Sequence, residues 1–318
     1  MLNFLLKCRL YLVFPWSFPY NINVHQGITA SPNDRLTGKT HTGHPQLRQS
    51  YNLLQLLIIN IINPAGDEDK DMTFCLDPHV HTIGTSSCGK VNGATVAELY
   101  KKAGYDGIVI TNHYHEEFFT QFAANLSWQE TIDLFLREYH GARAQGNKLG
   151  LSVFLGMEIR FTDSPNDFLV YGFDEDFLRT YPNLHHLGLK GFRELVASLA
   201  PAYRILIFQA HPFREGLNPA APDLLDGVEV HNGNPRHNSY NHLAAAFARI
   251  NQLTMISGSD FHRLTDLARG GILLPHPIET VNEFVAVLME KRGNTIITNP
   301  NLPLGFWRLK AAVLNCSC

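Results

Sequence analysis

From Met72 onward, short apolar runs alternate with longer segments that are apolar on one face only. Met72 to Asp77 predicts a strand. Thr95 to Ala103 places Val96, Leu99, Tyr100 and Ala103 at helical spacing, and Gly104 follows as a C-cap would. Gly107 to Thr111 reads as a buried strand. Trp128 to Gln145 reads as a long amphipathic helix, opened by Ser127 with Glu130 three residues on, a capping box. Leu151 to Phe161 and Phe168 to Gly172 predict strands, Gly191 to Ala200 a helix, and Ile205 to Gln209 and Gly227 to His231 strands. Ser239 to Asn251 predicts a helix, Thr254 to Ser257 a strand, Thr280 to Lys291 a helix and Thr295 to Ile297 a last strand. Such alternation implies a parallel sheet with helices outside it. About seven strands suggest a closed or nearly closed barrel. The alternative is a doubly wound open sheet, which would carry a glycine-rich phosphate loop or a nucleotide fingerprint; neither is present.

Residues 1 to 71 show neither a sustained helical period nor a strand period, and Ile28 to Ser50 is polar and turn-rich. The charged run Asp67-Glu-Asp-Lys-Asp71 then precedes Met72. The expected organisation is a poorly ordered or spurious N-terminal extension over 1–71, a functional domain over 72–300 and a tail over 301–318. An N-terminal subdomain is the alternative for the first part. Leu53 to Ile62 is half the roughly 20 residues a membrane span needs. Lys7 and Arg9 inside the first apolar run, with Pro15 and Pro19 after it, make a poor secretory signal.

At 318 residues, with 45% hydrophobic and 17% charged residues and a net charge near −3, the chain can bury a large core and has no general attraction for nucleic acid. The five cysteines (Cys8, Cys75, Cys88, Cys316 and Cys318) have no disulfide spacing, which suits a reducing, cytoplasmic setting. Cys316-Ser-Cys318 reads as a frayed tail rather than a weak metal site.

The sixteen histidines change the picture, because several fall near predicted strand ends together with carboxylates. The stretches are Asp77-Pro-His79-Val-His81, Thr111-Asn112-His113, Gly156-Met-Glu158, Asn166-Asp167-Phe168, Ala210-His211-Pro212, Val228-Glu229-Val-His-Asn232 and Gly258-Ser-Asp260-Phe-His262. Imidazole and carboxylate hold divalent metals, and a barrel gathers its site at the strand C-terminal ends. Residues i and i+2 of a strand face one way, so His79 with His81, and Asp260 with His262, can each clamp one ion. Glu158 follows an apolar run, where a carboxylate is costly unless paired or metal-bound; bridging two ions is its natural task. His113 and His211 end apolar runs at the same sheet edge.

In this order the motifs His-x-His, Thr-x-His, Gly-x-Glu, Ala-His-Pro and Gly-Ser-Asp-x-His resemble the polymerase and histidinol phosphatase (PHP) superfamily of metal-dependent phosphoesterases, over Met72 to Ile297 and closest to its small stand-alone bacterial members. The resemblance implies a distorted seven-stranded β/α barrel, TIM-like, with two or three divalent ions, commonly zinc, manganese or iron. It implies His79, His81, His113, Glu158, Asp167, His211, Asp260 and His262 as ligands. Three positions depart from the family pattern. Asn112 stands where an aspartate is usual. Cys88 stands at the place of an aspartate for a third metal, as a zinc-binding thiolate or as a small buried residue. Asp167 replaces a histidine, and an oxygen ligand shifts preference toward manganese or iron.

The expected activity is hydrolysis, by metal-activated water, of a phosphate monoester or phosphodiester in a small molecule, nucleotide or short oligonucleotide. His113 or His262 would donate a proton to the leaving group, and Arg214 would hold phosphate bidentately. His115 is left open, Glu116 and Glu117 read as a solvated loop, and His185-His186 as loop. Two other functions compete: a metal-binding or regulatory module that has lost catalysis, motivated by Asn112, Cys88 and Asp167, and hydrolysis of a non-phosphate bond. No basic run supports a stable nucleic-acid partner, no segment supports a membrane, and nothing speaks to oligomeric state.

Overall fold

The computed structural model describes residues 74–290 and 295–298. The expectations for 1–71 and 301–318, including those on Cys8, Leu53 to Ile62, Cys316 and Cys318, lie outside the described residues.

Ten strands join in one sheet: β1 (Phe74–Val80), β2 (Gly107–Ile110), β3 (His113–Tyr114), β4 (Ser152–Arg160), β5 (Asp167–Tyr171), β6 (Leu206–Gln209), β7 (Gly227–Asn232), β8 (Thr254–Gly258), β9 (Gly271–Leu274) and β10 (Thr295–Ile297). Their order is β10-β9-β1-β2-β4-β5-β6-β7-β8, with β3 beside β4. The helices are α1 (Gly93–Lys102), α2 (Trp128–Leu149), α3 (Glu175–Thr180), α4 (Gly188–Ser198), α5 (Asn241–Ile250) and α6 (Val281–Met289). The sheet nearly closes on itself. Just beyond β8, Phe261 makes a parallel bridge with Val80 at the end of β1. There the His81 amide donates to the Phe261 carbonyl at 2.9 Å and the Phe261 amide to the His79 carbonyl at 3.3 Å.

Side chains along these strands alternate between two apolar clusters, as the period of two requires. Ile108, Ile110, Val153, Leu155, Phe168, Val170 and Ile207 join one cluster, which also takes the buried faces of α1 to α5. Val109, Phe154, Leu169, Tyr171 and Phe208 join the other, together with Phe284, Val285 and Leu288 of α6. Both faces are therefore covered. That explains why these strands read as continuous apolar runs. Each fully buried side chain of this size contributes about 1.5–3 kcal/mol.

Two expectations need correction. The sheet is mixed rather than parallel: β5 runs antiparallel to both β4 and β6. Only six residues join Arg160 to Asp167, too few for the roughly 10–12 that a parallel crossover takes. The strand number also exceeds seven. The two-residue β3 carries no readable period, and β9 is four apolar residues between Gly270 and Pro275. Smaller differences follow the same logic. The strand β1 runs on through Pro78 to Val80, with a register shift between Asp77 and Val80. The capping box of Ser127 and Glu130 forms as expected, but α2 extends past Gln145 to Leu149. Gly146 is accepted inside it because a Cβ there would stand 2.7 Å from Val153 Cγ2. Helix α3, capped by Asp174, is only six residues long, too short to show a helical period in the sequence. Among the described residues no helix is long and apolar enough to cross a membrane.

Candidate metal centre

At one mouth of the sheet, Glu158 lies inside a ring of imidazoles. Its Oε1 is 3.3 Å from His79 Nε2 and 3.2 Å from His211 Nε2. Its Oε2 is 3.4 Å from His81 Nε2 and 3.1 Å from His113 Nδ1. One carboxylate thus offers a separate oxygen to each of two groups. Strand geometry explains the placement. Glu158 is the next-but-one same-face residue after Phe154 on β4, so it continues the inner face upward. In register, His113 of β3 stands directly opposite it.

Around this carboxylate the other sequence candidates converge. Asp260 Oδ1 lies 3.5 Å from both His79 Nε2 and His81 Nε2. The His81 ring stacks on His113 and on His262, each with centroids 4.3 Å apart. His113 faces two ways: Nδ1 toward Glu158, and Nε2 toward His262 Nε2 at 3.2 Å. Asp167 reaches the same end although it precedes its strand. Because β5 is antiparallel, its first residue lies where parallel strands finish. There Asp167 Oδ2 is 3.8 Å from His211 Nε2, and both oxygens also accept from Arg160, at 2.8 Å each. A carboxylate with four lone-pair sites can serve a guanidinium and an ion together.

Three side chains here have no role assigned from the sequence. His115, left open there, places Nε2 3.3 Å from Asp167 Oδ1 and 3.1 Å from His113 Nδ1. Glu229 is fully buried; its Oε1 lies 2.9 Å from His79 Nδ1, and its Oε2 accepts from the His211 amide and from Asn232 Nδ2. It turns His79 so that Nε2 faces the centre, a carboxylate–histidine pairing that commonly orients metal ligands. Asp77 does the same for backbone: Oδ1 accepts from the amides of His79 and Ser259, and Oδ2 from the Tyr100 hydroxyl. Burial pushes its carboxyl up to about 6. Gly258 completes the fit, since a Cβ there would collide with His79 Cβ and stand 2.8 Å from Glu229 Oε1. A sequence cannot distinguish a carboxylate that touches a metal from one that touches the ligand behind it.

Asn112 and Arg214 differ from their sequence readings. Asn112 ties the ends of β1 and β2 together: its Oδ1 accepts from the Thr82 amide at 2.8 Å, and its Nδ2 donates to Thr82 Oγ1. Asn112 thus acts as a tether between the two strand ends. Arg214 Nη2 donates to Asp260 Oδ2 at 2.8 Å and to Asn232 Oδ1 at 3.0 Å, while its buried Nε has no partner. One edge of the expected phosphate clamp is therefore already committed to Asp260.

Cys88 lies beside this ring. Its Sγ is 3.4 Å from His113 Nε2 and 3.0 Å from Ser86 Oγ. Burial raises the thiol, but hydrogen bonds and charge from His113 and His262 outweigh it and bring the thiol down to about 5. Burial likewise disfavours an ionised Glu158 and Asp260. The surrounding imidazoles, with Arg214 at Asp260, hold both well below the usual carboxylate range.

The residues fit a metal centre on two counts. His79 Nε2 and His81 Nε2, both turned toward Glu158, are buried without a hydrogen-bond partner, a costly state that a cation would relieve. Four sets of three ligand atoms lie within 4.8 Å of one another: His79, His81 and Glu158; His81, His113 and His262; His113, His115 and Glu158; and Glu158, Asp167 and His211. Glu158 belongs to three of the four.

The PHP-associated family model matches residues 238–292, the stretch holding α5, the Gly258–His262 motif and α6. No curated protein matches the chain. Among solved structures it is similar to a two-domain protein from Bacteroides vulgatus described as containing a predicted PHP-like metal-dependent phosphoesterase. The identity is 21% and the TM-score 0.50, over 72% of this chain and 65% of that one. The chain thus spans about two thirds of that relative's length. It is also similar to PsfC from Pseudomonas syringae PB-5123, at 14% identity and TM-score 0.51, over 77% of this chain and 99% of that one. At such identities the likeness is one of fold. The matched segment and that fold together make the chain similar to proteins of the PHP superfamily.

Proposed function

We propose that the chain is a metal-dependent phosphoesterase, hydrolysing a phosphate monoester or phosphodiester in a small molecule, nucleotide or short oligonucleotide. The observation that carries the reading is Glu158, with one oxygen toward His79 and His211 and the other toward His81 and His113. His79, His81, Glu158 and Asp260 would hold one ion, and Glu158, Asp167 and His211 a second. His113 and His262, with Cys88, would hold a third. When bound, the ions supply Lewis acidity, making a water nucleophilic at neutral pH and offsetting charge that develops on phosphate.

The chain's own groups do the rest. Arg214, paired to Asp260, keeps positive charge at the rim, where it would attract an anionic group. His262 Nδ1 lies 3.0 Å from the Asp260 carbonyl, which fixes its ring with Nε2 turned toward His113 as a ligand nitrogen. The Asn112 tether removes one motive for a module without catalysis. The Cys88 thiol, not tied up in a disulfide, suits the cytoplasm.

Purified protein is expected to carry about two or three equivalents of zinc, manganese or iron and to cleave an aryl phosphate or an aryl phosphodiester. Stoichiometric metal with no turnover would turn the reading to a binding module. Turnover of amides alone would turn it to a hydrolase of another bond. The choice of metal has its own test. A thiolate beside two imidazoles favours zinc or cobalt over manganese. Cobalt-loaded protein should show a near-ultraviolet sulfur-to-cobalt absorption that Cys88→Ser abolishes; identical spectra would mean that Cys88 is not a ligand.

A further inference from the structure

Outside this centre a second group of metal-ligating side chains converges. Glu116 Oε2 lies 3.0 Å from His185 Nε2 and 3.2 Å from His186 Nε2. The three ligand atoms all stand within 4.8 Å of one another. Glu116 is solvent-exposed, as its reading as a solvated position expects, but it pairs with both histidines, and His185-His186 form a short turn of helix rather than plain loop. The histidines form a 3₁₀ turn, Leu184–His186, closed by bonds from the His186 amide to the Asn183 carbonyl and from the Leu187 amide to the Leu184 carbonyl. Adjacent residues on so tight a helix normally diverge by about a third of a turn. Here their rings come within 4.1 Å, tilted by 52°, and offer nitrogens to one carboxylate oxygen.

The group is held in place before any ligand arrives. The His185 ring is buried and stacks on Phe119, with centroids 4.2 Å apart and planes 2° from parallel. Phe119 stacks in turn on Trp128, and Tyr114 meets the His185 ring edge-on. His186 and Glu116 are about half exposed, at 54% and 52% of their side chains, so the open side of the group faces water.

We infer that Glu116, His185 and His186 form a separate binding site for a late transition-metal dication such as zinc, with the fourth position open to water. Two imidazoles and one carboxylate leaving one place open is a donor set for zinc, nickel or copper; calcium and magnesium take oxygen ligands instead. A tetrahedral ion with bonds of roughly 2.0–2.2 Å sets its ligand atoms about 3.3 Å apart, close to the spacing already present.

The site has a mechanical meaning. Glu116 is followed by a one-turn π segment, Phe118–Phe122, a rare form that recurs at functional sites. On one side of Glu116, His115 abuts His113 and Asp167; on the other, Glu117 Oε1 accepts from the Ser87 amide at 3.3 Å. An ion at Glu116 therefore pins the segment that positions His115 to the turn before α4.

The test uses the full chain, stripped of metal and titrated with zinc alone. Wild type should take up one equivalent more than His186→Ala or Glu116→Gln, and zinc should slow amide exchange over residues 118–122 more in wild type than in either variant. His186 is exposed, so its replacement does not threaten the fold. Equal zinc uptake by wild type and both variants would mean that the group is a hydrogen-bonded cluster and no metal site. Glu158→Ala separates this inference from the proposed function. It should release the two ions that share Glu158 and keep this equivalent, so that adding His186→Ala to it removes one equivalent more; no further loss in the double variant would overturn the independence claimed here.

Discussion

Glu158→Ala should lose about two equivalents of metal and lower phosphate ester hydrolysis by more than about 100-fold. The estimate has a floor, because removing partners that only orient metal ligands already costs about 10–100-fold in affinity or activity. Glu158 does more than orient. It lies within 3.4 Å of four imidazole nitrogens and takes part in three of the four ligand sets at the mouth. Without ions, its charge and the hydrogen bond with Cys88 hold the His113 imidazole up at about 10 against the opposing effect of burial. Glu158→Asp keeps the charge but shortens the reach by one methylene, and should retain one ion at most. Metal content by mass spectrometry and kinetics on an aryl phosphate would decide it. An alanine variant with wild-type metal content would remove the basis of the shared centre.

Asp260→Ala should abolish activity and also destabilise the fold by about 3 kcal/mol, in the range for breaking one side of a buried ion pair. Asp260 is 1% exposed and touches His79 and His81 through one oxygen and Arg214 through the other. Without it, Arg214 keeps only the neutral Asn232 and Ser239. Asp167→Ala should cost less, because its exposed partner Arg160 can turn to water, and should lower the occupancy of the second ion alone. Thermal unfolding of both variants beside metal analysis checks this. Equal activity in Asp260→Ala would remove it from the ligand set.

Long elements with strong local signals were legible in the sequence. The capping box at Ser127, the helical face of α1 and the apolar runs of β2, β4 and β6 each state their own conformation. What failed was set by tertiary pairing. The direction of β5 depends on the length of the Thr162–Asn166 turn rather than on its own residues, and β9 exists because β1 and β10 flank it. The ligand candidates were legible for a related reason: imidazoles and carboxylates at the ends of apolar runs are expensive there unless they meet. Glu229 met the same criterion and turned the other way, toward His79 Nδ1. Glu116 and His185 had no such signal, since nothing local brings a residue after β3 to a turn 69 positions later.

The barrel closes through the very residues that would bind its ions. Phe261 pairs with Val80 between His79 and His81 on one side and Asp260 and His262 on the other. Ions bound there would act as a clasp across a loop of some 180 residues, and their binding energy would enter the folding equilibrium directly. Chain newly made under metal starvation would lack the clasp and populate opened forms on which proteases act. Scarcity of metal would then lower the amount of the protein as well as the activity of each copy.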